Sequence, residues 1–160
     1  MNIFYLHEDP DTCAQMHCDK HVVKMILEYA QLMSTAHHML DEEQALPGLY
    51  KCTHKNHPSA VWTREAPAHY KYVLNLFNAL AHEYKHRYKK NHLTFTKLTN
   101  IIDVLPRNMS DSSEFVDPPQ CMPDVYKQES TVGAYRAYYK FGKDQTWIRK
   151  FTDRQIPSWL

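Results

Sequence analysis

The sequence predicts an all-α protein: a compact single-domain bundle of about four to five helices, with a short extended N-terminal segment and a long proline-rich loop. Three observations carry that class. Apolar residues recur with a period near 3.6 over long stretches, only three glycines interrupt the chain, and its 160 residues suffice for one good core. The domain therefore spans residues 1–160, with 106–129 as the long loop and 147–160 as an aromatic, basic tail.

The elements follow in order. Asn2 to Leu6 reads as a short strand or extended arm, and Asp9 before Pro10, or Asp11, caps a first helix that runs to about Leu40. Asp41 to His57 holds Pro47 and Gly48 and reads as a loop. Asn56-His57-Pro58 opens a second helical region, which Pro67 breaks or kinks. Tyr70, Val73, Leu74, Phe77, Leu80, Ala81, Tyr84 and Tyr88 then share one face of a long helix ending in the basic run Lys85 to Lys90. A shorter helix covers Thr94 to Leu105 and stops at Pro106. Arg107 to Glu129 is rich in Ser, Asp and Pro, as loops with a function often are. Ser130 or Thr131 caps a last helix through Phe141, which Gly142 ends.

Composition excludes some functions. The formal net charge of +1 rules out a strongly basic nucleic-acid binder by bulk charge, but leaves room for a local basic face. Cys13, Cys18, Cys52 and Cys121 stand in a chain with no basic-then-apolar leader, so reduced thiols in a cytoplasmic compartment are expected. No apolar run approaches the roughly 20 residues that cross a bilayer, and no membrane partner is expected.

The chemistry concentrates on the first helix. His17, His21, Lys24, Glu28, Gln31, Thr35 and His38 fall within a sector of roughly 100° on an otherwise apolar helix, which places them along a cleft. Lys24 and Glu28 are an i,i+4 pair, with His17 and His21 on the preceding turns. Burial and neighbouring imidazoles would lower the lysine pKa and make its amine a nucleophile, with Glu28 handling the proton. A metal is the other reading of these residues: His17 and His21 have the spacing to share an ion, with Glu28, His38 or His57 as third ligand. Lys24 beside them opposes a cation, so the expected site holds no cofactor, and a divalent metal enters only with that reading. His82-Glu83-Tyr84-Lys85-His86 matches the zinc-protease pattern, but both imidazoles fall far from the apolar face and should point to water.

Two further clusters complete the candidates. His54, Asn56, His57 and Ser59, with Arg64 nearby, gather donors at a helix start and suit a phosphate. Arg136, Tyr139, Lys140 and Lys143 belong to a C-terminal run of alternating cations and rings suited to a nucleic-acid backbone and its bases. Gln31 and His38 extend the substrate side of the first-helix stripe.

The strings His17-Cys-Asp-Lys-His-Val-Val-Lys-Met-Ile-Leu-Glu28, Thr53-His-Lys-Asn-His-Pro58 and Pro118-Pro-Gln-Cys-Met-Pro-Asp124 resemble a family of proteins from tailed phages and other marine viruses. That likeness covers nearly the whole chain and implies a viral protein acting in the cytoplasm of an infected host cell. The layout is also similar, more distantly, to the small all-helical pyrimidine-dimer DNA glycosylases of phages. In those enzymes a first helix bears a Gln-His element, here Gln15 to His17, and an aromatic, basic C-terminus follows, here Tyr135 to Lys143. The resemblance implies attack by an N-terminal α-amine on the sugar C1′, assisted by a glutamate seven residues beyond the histidine. Lys24 stands at that position, and Asn2 is too large for routine removal of Met1. The implied nucleophile is therefore the Met1 amine or Lys24, with Glu28 one turn later as the acid.

The expected function is a viral DNA glycosylase, able to act as an AP lyase, on a damaged or modified pyrimidine. His17 and His21 would orient the sugar or shuttle protons. A nucleotide phosphohydrolase or phosphodiesterase built on His17, His21, Glu28 and His57 is the alternative, as is a viral protein that binds a nucleotide or a host factor without turnover. DNA or a nucleotide is the expected partner. Every version requires the first-helix stripe and the Asn56-His57 turn to meet in space.

Overall fold

Asp9 opens the first helix, its carboxylate accepting from the Thr12 amide at 2.9 Å and the Thr12 hydroxyl at 2.7 Å, with Pro10 at the first helical position. The computed structural model, which describes residues 1–160, is all-helical with no strand. Helix α1 covers only Pro10–Met16, and α2 starts anew at Asp19 and runs to Asp41. The single helix expected to Leu40 is thus two. His17 Nδ1 lies 2.7 Å from the Cys13 carbonyl, so the imidazole takes an acceptor at the end of α1 that a continuing helix would use. Beyond the break, the Asp19 amide donates to the Lys150 carbonyl at 2.8 Å, and its carboxylate accepts from Arg87 and Thr152. The break is held by partners distant in sequence.

A 3₁₀ turn at Glu42–Gln44 leads into a loop, and α3 (Pro58–Glu65) and α4 (Pro67–Tyr88) follow, parted at Ala66 in extended backbone as Pro67 requires. Helix α5 is Leu93–Ile102, shorter than expected at its C-terminus. Residues 106–129 carry a single 3₁₀ turn at Asp124–Tyr126, yet the loop is tied down. Asp41 accepts from the Arg107 and Asn108 amides at 3.0 and 2.9 Å, while Trp62 and His69, stacked 4.2 Å apart, bond the two sides of Val116. Ser130 caps α6 (Thr131–Ala137), which passes into a π-helical turn at Tyr138–Gly142 before the single-turn α7 (Gln145–Ile148). Seven helices replace the four to five expected, because the first is divided and a short one lies in the tail.

Helix α2 is the hub, packed on α3, α4, α5 and α7. The N-terminal arm forms no strand; it threads extended into the core, burying Ile3, Phe4, Tyr5 and Leu6, with the Phe4 amide donating to the Tyr29 hydroxyl at 3.1 Å. These residues join a core of 30 buried side chains. Burying an aliphatic or aromatic side chain contributes roughly 1.5–3 kcal/mol, so four consecutive ones fix where the chain's first residue lies. No helix is long and apolar enough to cross a membrane.

Candidate active site

The polar stripe divides at the helix break. His17 and His21 are buried and held by tyrosines: His17 Nε2 lies 3.5 Å from the Tyr29 hydroxyl, and His21 Nδ1 2.6 Å from the Tyr139 hydroxyl. The His21 ring also stacks on Phe4 at 4.2 Å and meets the Trp147 edge at 5.4 Å. Burial pushes His17 down to about 4 against the opposing pull of the Cys13 carbonyl. Burial, then His17 and the ammonium groups of Lys143, Lys24 and Lys20, pushes His21 down to about 2. Neutral imidazoles locked beneath an aromatic lid neither shuttle protons nor touch a sugar, and both leave the catalytic set. They leave the alternative ligand set too: His17 and His21 are committed to core partners, and no group of three or more His, Cys, Asp and Glu side chains stands placed to hold a metal ion.

What remains is centred on Glu28, on the outer part of α2. Its Oε1 lies 3.9 Å from Lys24 Nζ and 4.0 Å from the α-amine of Met1. The two residues differ in setting: the Lys24 side chain is 59% exposed, whereas the Met1 side chain is 5% exposed and that of Glu28 18%. The burial that the sequence assigned to Lys24 is absent there, while Met1 packs its side chain against the core. Phe4 and Tyr29 explain the placement, since the bond between them anchors the arm beside Glu28, the residue before Tyr29 on α2. His57 completes the cluster. Burial lowers its pKa first, then the Met1 ammonium and His54, with Glu28 acting in the opposite sense.

The first-helix stripe and the Asn56-His57 turn therefore meet. Thr35, buried on the same face, bonds both the amide and the carbonyl of Thr53, at 3.1 and 3.2 Å, and pins the loop to α2. Its neighbours do not form the expected phosphate cradle. His57 Nδ1 accepts from the Ser59 amide at 3.1 Å, taking that donor for the helix cap, and Ser59 is buried with its hydroxyl 3.7 Å from Cys121 Sγ. Arg64 lies in the last turn of α3, at the far end from His57. His54 and Asn56 stay exposed at the rim, His54 Nδ1 sharing a 2.7 Å bond with the Thr53 hydroxyl. Gln31 lines an adjoining groove of about 460 Å³ with Leu27, Tyr50 and Thr53, while His38 is spent on the Tyr50 carbonyl at 2.9 Å.

The C-terminal cluster also separates. Tyr139 is wholly buried, and Arg136 donates to the Leu6 carbonyl at 2.9 Å and lies over the Trp159 ring, so both are structural. Lys140 is exposed, and Lys143 sits 4.3 Å from the centre of the Tyr138 ring and 5.5 Å from that of Phe4. Sequence reasoning missed Lys20, whose ammonium lies 4.2 Å over the Trp147 ring. Together Lys20, Lys24 and Lys143 put three cations around the covered edge of His21, beside the arm that carries Met1. Lys20 and Lys24 are four residues apart, a spacing that placed Lys20 within reach of the stripe.

His82 and His86 are exposed, as expected, and Glu83 between them is buried in ion pairs with Arg87 and Arg154. Comparison with protein-family models, curated sequences and solved structures finds no match.

Proposed function

We propose that this protein is an amine-dependent DNA glycosylase and AP lyase whose nucleophile is the α-amine of Met1 and whose proton acceptor is Glu28. The observation that carries the reading is the 4.0 Å approach of the α-amine of Met1 to a half-buried carboxylate, beside a face bearing Lys20, Lys24 and Lys143. A carboxylate within one bridging water of an ammonium can take its proton and leave the nitrogen lone pair free to attack.

The neutral amine adds to C1′ of a deoxynucleotide while the C1′–base bond breaks, the base leaving with the electron pair of that bond and taking, by way of Glu28, one of the two amine protons. Glu28 then passes the second nitrogen proton to O4′ as the C1′–O4′ bond breaks and the C1′–nitrogen double bond of the imine forms. Abstraction of a C2′ proton then expels the 3′-phosphate and cleaves the strand. Lys24 pairs with Glu28 and meets the DNA backbone, and Gln31 faces the groove alongside. His57 borders the pair, and burial first, then the Met1 ammonium, disfavours its protonation.

The test is borohydride reduction during incubation with an abasic duplex and an ultraviolet-irradiated duplex, with and without chelator. The wild-type protein is expected to give a covalent adduct unaffected by chelator. Acetylation of the α-amine, or a Gly-Ser extension ahead of Met1, should abolish it; Glu28→Gln should reduce the rate by about 10²-fold or more. Lys24→Ala should retain the adduct with weaker DNA binding. Absence of any adduct, with tight nucleotide or host-protein binding instead, would replace this reading with that of a binding protein.

A further inference from the structure

The tail carries a large aromatic side chain that the core does not use. Phe141 is 69% exposed, at the end of the π-helical turn. A π turn leaves backbone groups out of register with the α pattern, and such turns often lie at functional sites. Here the freed carbonyls are braced: that of Phe141 accepts from the Tyr126 hydroxyl at 3.3 Å, and those of Lys140 and Lys143 accept from the Gln145 amide at 2.8 and 3.1 Å. Gly142 is required for the fit, since a Cβ there would overlap the Tyr138 ring. The ring of Tyr138 is in turn packed on Tyr126. An exposed phenylalanine on so firmly held a backbone is presented rather than left over.

Its surroundings define the occupant. Lys140 lies 5.5 Å over the Phe141 ring, and Lys143 is two residues on. The nearby acids are engaged, Asp124 with Lys127 at 2.8 Å and Asp144 with the Thr146 amide at 2.8 Å. Lys143 in turn reaches Phe4, and three Cα-to-Cα steps, at most about 11 Å of chain, separate Phe4 from Met1. An apolar ring flanked by cations, two residues from a lysine that reaches the arm carrying Met1, has the makeup of a side chain that enters a base stack.

We propose that Phe141 is a wedge that inserts between bases of duplex DNA and opens the stack, while Lys140 and Lys143 hold the flanking phosphates. The proposal rests on the amine-dependent reading for its purpose: an extruded nucleotide exposes its C1′ to Met1. An apolar side chain able to fill the gap offsets part of the unstacking cost of a few kcal/mol.

The experiment uses a duplex carrying 2-aminopurine next to an abasic site, whose fluorescence rises when the stack opens. Saturating wild-type protein is expected to raise it several-fold. Phe141→Ala, which touches no core contact, should lose most of that rise at matched DNA occupancy; Phe141→Trp should keep it. An equal rise with Phe141→Ala, or no duplex binding by the wild type, would overturn the wedge. So would loss of binding to anionic phospholipid vesicles in Phe141→Ala alongside an unchanged 2-aminopurine signal, which would make the face a membrane contact. Borohydride trapping on a single-stranded abasic oligonucleotide separates the two claims. It needs Met1 but no wedge, so its failure would remove the amine reading, whereas its survival beside a flat 2-aminopurine signal would remove the wedge alone.

Discussion

His17 and His21 make the buried interior sensitive to acid. Burial holds the folded values at about 4 and about 2, whereas the unfolded chain takes up these protons near pH 6.5. The unfolded state then binds more protons, so the stabilisation is complete above pH 6.5 and is lost as pH falls toward the folded values. Each ring contributes a slope of up to about 1.4 kcal/mol per pH unit in that window. Urea unfolding between pH 7 and 5 should show a steep decline, and His21→Phe should flatten it; a flat wild-type profile would contradict the burial account. Residue identities signalled this poorly. Three imidazoles on one stripe look alike in sequence, and only the partners Tyr29 and Tyr139, the second 118 residues from His21, turn two of them into core groups. Glu28 was legible because it needed no distant partner to stay polar. The position of Met1 beside Glu28 was not legible, since the sequence does not show where an extended arm ends.

At the scale of elements, the predicted boundaries that held were those set by local chemistry: the Asp9 and Ser130 caps, the Pro67 break and the Gly142 stop. The break between α1 and α2 was illegible because its stabilising groups come from α4 and the tail. Arg87 is central there, its wholly buried guanidinium donating to Glu83 at 2.8 Å, Asp19 at 2.9 Å and the Gln15 carbonyl at 3.1 Å. Burial alone would raise the Glu83 carboxyl, but Arg154 and Arg87 together hold it below the ordinary range. Removing one member of a buried ion pair strands the others, at a cost of about 3–5 kcal/mol. Arg87→Met should therefore lower stability by about that amount in urea unfolding, and should disturb the α1–α2 junction before the distant α5. A loss under about 1 kcal/mol would show that the network is not what holds the break.

For the whole molecule, a net charge of +1 conceals an uneven distribution. Lys20, Lys24 and Lys143 surround one edge of His21, and Lys140 extends that basic character into the π-helical turn. If Lys20 and Lys143 each neutralise one phosphate, Lys20→Ala with Lys143→Ala should reduce the slope of log affinity against log salt by about 2. An unchanged slope would place DNA elsewhere. The central proposal concerns Met1, because an amine nucleophile beside Glu28 would set both the proposed reaction and the face on which it occurs. The most direct test is mass spectrometry of the proteolysed, borohydride-trapped adduct formed with abasic DNA. Sugar mass on the N-terminal peptide, at the Met1 nitrogen, is the predicted result; sugar on the peptide containing Lys24, or on no peptide, would contradict it.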